Sequence, residues 1–255
     1  MKQTVVWDPQ AFKDHFENSV KNNIILSALE KRKLEFYIKE LKLQATDVLL
    51  DAGCGYGRLS KSLINSVSKI IGIDINPDNI NYSIKYVGKN FEGQVVDLST
   101  GKLPYPDNSI DKIVFDNVLM FFNKELQYKL LNESKRVLKQ NGVIAFNFEN
   151  ANYFLRGLER FFTSLYKLKA KLKGKQTPFH NKYTLSFYED TLKNLGFSNI
   201  RSIGGTFYHR MGIGPIEVLP KFLRSFIAKK DAKHFNGPEK VKMFGITLAA
   251  SIERF

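Results

Sequence analysis

The chain has 255 residues, 43% of them hydrophobic and 25% charged, enough for one large domain or two small ones and far from a disordered composition. Thirty-nine Lys and Arg against 25 Asp and Glu leave a formal charge of +14, so an anionic partner or surface is expected. One cysteine excludes an internal disulfide. The opening MKQTVVWDPQAFKDHFEN lacks the apolar core of a signal peptide, and runs such as Val143 to Phe146 and Phe244 to Ala250 fall far short of the ~18 residues a membrane span needs. A soluble, cytoplasmic protein that could still lie against a membrane is the expectation.

The first 45 residues read as helical and partly amphipathic, a cap expected over the carboxyl edge of a sheet. Short Val, Ile and Leu-rich strands then alternate with helices: DVLLD (47–51), KIIGID (69–74), QVVD (94–97), KIVFD (112–116) and GVIAFNFE (142–149), with helices at 57–66, 77–88 and 124–139. Almost continuously apolar strands separated by crossover helices indicate a parallel sheet covered on both faces. Asn76-Pro77 predicts a sharp helix start, Asn as cap and Pro in the first turn. Beyond Phe148 come a basic helical stretch (152–173), a Lys, Gly and Pro loop, a helix near 186–195, a sixth strand in GFSNIRSIGG, a second basic segment (216–234) and a last strand in GITLAASIERF. With no repeat or clean linker, 1–255 reads as one α/β domain: a cap at 1–45, a core at 46–150, and basic elaborations at 151–185 and 207–242.

Asp51-Ala52-Gly53-Cys54-Gly55-Tyr56-Gly57 follows the first strand and opens a helix, the crevice where open α/β sheets bind ligands. A dinucleotide fingerprint would place Gly or Ala at 58, which is Arg58, and no Gly-Lys-Ser/Thr ending exists. Nicotinamide, flavin and P-loop nucleotide readings are therefore disfavoured. Asp74 ends the second strand, where one carboxylate can accept from both hydroxyls of a ribose. Asp97 and Leu98 end the third, offering an acceptor to an adenine amino group and a wall to its ring. Each feature alone could be a turn or a helix cap, but three in this order argue for a ligand.

With these residues the sequence resembles the Rossmann-like (class I) S-adenosylmethionine-dependent methyltransferases, in the branch of the ubiquinone and menaquinone enzymes. VLLDAGCGYGRLS, IIGIDIN, VVDLSTGKLPYPDNSID and RVLKQNGVIAF carry the likeness. It implies a seven-stranded, mostly parallel sheet with helices on both faces and the last strand antiparallel between the fifth and sixth, with S-adenosylmethionine as cofactor and no metal. By that resemblance Gly53, Gly55 and Gly57 face the cofactor's amino-acid portion and Asp51 its ammonium. Asp74 with Ile75 takes the ribose side, Asp97 and Leu98 the adenine, and Asp116, Asn117 and Val118 lie by the sulfonium. Many relatives carry histidines where this chain has Met120 and Phe121, which are read here as core packing in preference to substrate stacking.

Methyl transfer from a sulfonium needs alignment and dry surroundings more than a protein nucleophile, while a hydroxyl acceptor would also need a base. Among four histidines His180 is the candidate, in a His-x-x-Tyr-Thr stretch that resembles an element bordering the acceptor in relatives. A structural role is an equal alternative. Tyr183, Glu149 and His15 follow, and Cys54 reads as inert. The segments 153–182 and 221–242 carry +12 of the +14, so the charge belongs to the elaborations. In the first, Phe154, Leu158, Phe161, Leu165, Leu168 and Leu172 form an apolar stripe beside basic residues. A packed lid helix, an anionic membrane surface and a polyanion are the three readings. RNA methylation and a non-catalytic cofactor-binding or membrane-associated scaffold are the alternatives to a small or lipid-linked acceptor. Against nucleic acid, an Asn-Pro-Pro-Tyr-like element and a Pro-Cys are both missing.

Overall fold

The computed structural model describes residues 8–22, 24–152, 180–205 and 245–252, with the single positions Ser164, Leu168, Leu172, Phe222, Ser225 and Lys229. Seven strands form one sheet: β1 (Val48–Ala52), β2 (Lys69–Asp74), β3 (Phe91–Val95), β4 (Ile110–Phe115), β5 (Leu138–Glu149), β6 (Phe197–Gly204) and β7 (Gly245–Ile252). Their order is β3-β2-β1-β4-β5-β7-β6; β1 to β5 pair in parallel, while β7 runs antiparallel to both neighbours. Alternation along each strand divides the core in two. Leu50, Ile113, Phe115, Ile144 and Phe146 face one side, and Leu49, Ile70, Val114, Val143 and Ala145 the other.

The helices are α1 (Pro9–Asn22), α2 (Ile24–Leu41), α3 (Arg58–Leu63), α4 (Pro77–Val87), α5 (Lys124–Val137) and α6 (Leu185–Asn194). Side chains cap four of them, Asp8 accepting from Ala11 N at 2.7 Å at the start of α1. Asn76 accepts from Asp78 N at 2.9 Å ahead of Pro77, Asn123 from Leu126 N at 2.9 Å, and Thr184 from Phe187 N at 3.1 Å, each satisfying an amide that the first helical turn leaves open. Leu130 and Leu131 of α5, with Tyr188 and Leu192 of α6, cover the first core; α2, α3 and α4 cover the second.

Two strand expectations are corrected, and the cap is seen in two parts. In α2, Lys33, Phe36, Tyr37 and Leu41 are all buried on one side of the helix and seat it on the sheet face, in contact with β5 and β7. In α1, Phe12 packs edge-on against Tyr56 of the glycine loop and Phe16 lies under Arg58, at the carboxyl edge. The third strand begins earlier than QVVD, because Phe91 closes the core over Gly72, where a Cβ would stand 2.3 Å from the ring. As an edge strand reading FEGQV, it lacks an apolar run. The fifth begins at Leu138, and the residues before Val143 loop out of register with β4, with Asn141 at φ 60°. The basic stretches lie outside the described residues apart from single positions; of these, Leu168 and Leu172 are helical and exposed, by 57% and 81%.

Candidate cofactor and acceptor site

The carboxyl ends of the strands carry the site. The loop after β1 is pinned from below, Gly53 N and Cys54 N donating to Ile73 O at 2.7 and 2.9 Å and Gly57 N to Cys54 O at 2.9 Å. Gly53 and Gly57 have φ of 81° and 88°, and a Cβ on either would strike Val118 or Val87 at 2.4 or 2.6 Å. Gly55 (φ 53°) differs, since a Cβ there would meet nothing within 4 Å. The loop thus turns its barest backbone toward open space, where a ligand can approach closely. Gly55 N donates to Asp74 Oδ2 at 3.0 Å, and Asp74 Oδ1 accepts from Asn76 N at 2.9 Å and Asn79 Nδ2 at 3.2 Å. A carboxylate offers about four acceptor directions, so lone pairs remain. Ile75 beside it is half exposed. Next along the edge, Leu98 is buried as a wall, while exposed Asp97 caps a short 3-10 turn by accepting from Ser99 N at 2.8 Å.

Beneath the loop, Asp51 is buried and bonded to Ser60 Oγ at 2.6 Å. Burial pushes its carboxyl up to about 6, against the lowering effect of the Ser60 bond. Arg58 favours and Asp116 disfavours the ionised form; with no ion pair of its own among the described residues, Asp51 suits a positively charged ligand group above it. Burial likewise raises the Cys54 thiol, in keeping with an inert residue. The buried hydroxyl of Tyr56 has no hydrogen-bond partner among the described residues. Its ring packs edge-on against Phe12 and Tyr86.

Asp116 follows β4, at the strand end expected to lie by the sulfonium, and charged neighbours engage it there. Its carboxylate is occupied by Lys33 Nζ at 2.9 Å, Tyr37 OH at 3.2 Å and Arg58 Nη2, while Glu30 holds Arg58 at 2.8 Å and Lys33 at 3.1 Å. Burial alone would raise the Asp116 carboxyl, but Lys33 and Arg58 outweigh it and keep it below its ordinary range. The cluster locks α2 to the start of α3. Local sequence carried no sign of Lys33 or Glu30, although Arg58, directly after the glycine loop, was visible. Asn117 (φ 60°) is tied to Asn147 by two bonds: its N–H donates to Asn147 Oδ1 at 2.5 Å, and Asn147 Nδ2 donates to Asn117 Oδ1 at 2.6 Å.

Over β4 and β5 stands His180, its Nδ1 2.7 Å from Glu149 Oε1 at the end of β5. Met120 is buried as expected, but Phe121 is 55% exposed and meets the His180 ring edge-on, centroids 5.0 Å apart. The core reading of Phe121 is therefore corrected: the 3-10 turn that buries Leu119 and Met120 leaves the next side chain outward. Tyr183 is placed apart from this pair, its ring stacked on Phe187 and edge-on to Tyr188 beside α6. His15, on α1, is likewise not brought to the pair.

The seven-stranded sheet with this strand order has the Rossmann-like methyltransferase fold of its structural neighbours, with an open glycine cradle at the crevice after its first strand. Residues 50–146 match the family described as a methyltransferase domain. The chain is 26% identical over 213 residues to a demethylmenaquinone methyltransferase of Tropheryma whipplei, covering 76% of this chain and 87% of that one. It is 30% identical over 122 residues to a ubiquinone biosynthesis O-methyltransferase of Pelagibacter ubique, covering 43% and 48%. In fold it resembles a SAM-dependent methyltransferase from Archaeoglobus fulgidus, with a TM-score of 0.60 at 18% identity over 94% of this chain and 98% of that one. The family match, the relatives and the fold together support an S-adenosylmethionine-dependent methyltransferase.

Proposed function

We propose that the protein transfers the methyl group of S-adenosylmethionine to a small or lipid-linked, anionic acceptor. In this reading one domain spans 1–255, and the segments 151–185 and 207–242 surround the acceptor. The observation that carries it is a continuous row at the strand ends: the open Gly55, Asp74 and the Asp97–Leu98 pair over β1 to β3, then Phe121, Glu149 and His180 over β4 and β5. When bound, the cofactor supplies an electrophilic methyl, so the protein's work is holding, alignment and exclusion of water. Gly53, Gly55 and Gly57 would let the backbone approach, Asp51 would face the ammonium, Asp74 would take the ribose hydroxyls and Ile75 would flank them. Leu98 would wall the adenine, Asp97 would accept from its amino group, and Asn117 would border the sulfonium side. His180 would receive a proton from the acceptor, whereas Tyr183, packed among aromatic rings, has no such support. Relatives named for demethylmenaquinone and ubiquinone biosynthesis favour a small acceptor over nucleic acid. A second observation, the exposed Leu168, Leu172 and Phe222 within the basic segments, favours an anionic lipid surface as the place of work.

Calorimetry with S-adenosylmethionine and its demethylated product tests the reading. Wild type should bind both, and Asp74→Ala should lose about 2 to 4 kcal/mol of affinity with the ribose bonds. Absence of binding by folded wild-type protein overturns the function. Undiminished binding by a folded Asp74 variant overturns the ribose assignment alone.

A further inference from the structure

Glu149 ends β5 between two basic side chains. Its Oε1 lies 2.7 Å from His180 Nδ1, its Oε2 accepts from Lys182 Nζ at 3.1 Å, and its side chain is only 15% exposed. Burial by itself would raise this carboxyl, but the imidazole bond and Lys182 outweigh it and hold it below its ordinary range. Glu149 is thus ionised at neutral pH and can only accept. The hydrogen in the short bond then belongs to the imidazole, so neutral His180 carries its proton on Nδ1 and a lone pair on Nε2. Among the described residues Nε2 has no bonding partner.

The surroundings hold the ring in place. Asn181 N donates to Met120 O at 2.7 Å, tying this segment to the turn after β4, and Ala151 N donates to Tyr183 O at 3.0 Å, tying it to the end of β5. The turn itself is braced from beneath: Gln127 Nε2 donates to Leu119 O and Phe122 O, both at 2.8 Å, and Tyr188 OH donates to Gln127 Oε1 at 2.6 Å. Phe121 closes one side of the imidazole. Among the described residues, the groups facing the pair are Glu149 from β5, Lys182 from the ring's own segment and the uncharged Phe121 from the turn.

We propose that Glu149 is the positioning residue of a carboxylate–imidazole pair that presents His180 Nε2 as a proton acceptor, and that the methylated atom is a hydroxyl oxygen. This rests on the methyltransferase reading above. A neutral amine attacks through a lone pair it already has, and a carbon acid activated by its own ring needs less help. A hydroxyl needs a base held in one tautomer. In the step, the oxygen's lone pair forms the O–CH3 bond while the C–S bond breaks with its electrons on sulfur, and the hydroxyl proton passes to Nε2. The positive charge lost at sulfur reappears on the imidazolium, where Glu149 stabilises it.

Nitrogen-15 NMR of the histidine rings in full-length protein, free and bound to S-adenosylhomocysteine, reads the tautomer directly. Neutral His180 should carry hydrogen on Nδ1 in wild type and in Glu149→Gln, whose amide oxygen can accept, and should move to Nε2 in Glu149→Ala. A wild-type ring protonated on Nε2, or a Glu149→Ala ring unchanged, overturns the proposal. The Gln variant keeps the test open should the Ala variant fail to fold. With carbon-13 methyl-labelled cofactor and a panel of phenols, aliphatic hydroxyls, amines and carbon acids, the methyl should appear on oxygen. Glu149→Ala should lower kcat by roughly ten- to a hundred-fold with KM little changed. A methyl on nitrogen or carbon overturns the acceptor assignment. Failure of wild type to bind S-adenosylhomocysteine instead strikes the underlying methyltransferase reading.

Discussion

Asp51 is a carboxylate that the free protein holds at a disadvantage. Its folded value of about 6 lies above the ordinary 3.8, so its contribution to the stability of the free protein is greatest below that ordinary value and is lost as pH rises through about 6. A cation placed over the loop reverses this, because it favours the ionised form. The proposed ammonium contact therefore has a proton-linkage signature: cofactor binding should release a proton near pH 6, and affinity should fall as pH drops below that point, by at most about tenfold per unit. Calorimetry at pH 5.5 in two buffers of different ionisation enthalpy measures the release directly, and Asp51→Asn should abolish it. A wild-type protein that binds with no proton release shows that no cation lies over Asp51.

At the scale of elements, the charged cluster joins α2, the start of α3 and the end of β4. It balances two carboxylates, Glu30 and Asp116, with Lys33 and Arg58. Asp116 and Lys33 are almost wholly buried while a quarter of the Arg58 side chain meets solvent, so losing Arg58 leaves Asp116 with fewer partners in a poorly solvated place. Arg58→Ala should destabilise by about 2 to 4 kcal/mol, somewhat less than breaking a fully buried pair. Urea unfolding of the variant checks this, and a loss under about 0.5 kcal/mol would match an ordinary surface pair instead.

The same cluster marks where sequence reading stops. The strand ends, the Asn76-Pro77 cap and the glycine loop were legible because each is a local pattern of a few residues with its own stereochemistry. Lys33 and Tyr37 lie 83 and 79 residues from Asp116 and meet it only once α2 lies on the sheet face, so their hold on the Asp116 carboxylate could not be read from local sequence. His180 was visible in its segment, whereas its bond to Glu149 depends on where β5 ends relative to that segment. The edge strand FEGQV was misjudged because an edge can bury Phe91 alone and leave Val95 exposed.

For the whole molecule, the fold and the charge point to different tasks. The sheet and its glycine loop account for the cofactor, yet two segments outside that core carry +12 of the +14. Among the described residues no helix is long and apolar enough to cross a membrane. Leu168 and Leu172 stand one helical turn apart on the surface, 57% and 81% exposed, and Phe222 is 71% exposed. Exposed apolar side chains among lysines are the composition that lies in a lipid interface, each basic residue near an anionic surface contributing about 1 kcal/mol and the apolar groups adding contact with the acyl boundary. The protein should therefore float with phosphatidylcholine vesicles containing 30% phosphatidylglycerol and not with pure phosphatidylcholine, and should be released as salt shortens the range of the attraction. Replacing Leu168 and Leu172 by Ser should weaken recovery at fixed salt without changing S-adenosylhomocysteine affinity, because neither residue belongs to the strand-end site. Equal recovery on neutral and anionic vesicles would remove the electrostatic dock. Loss of the bound protein to added RNA at the same salt would instead assign the positive charge to a nucleic acid.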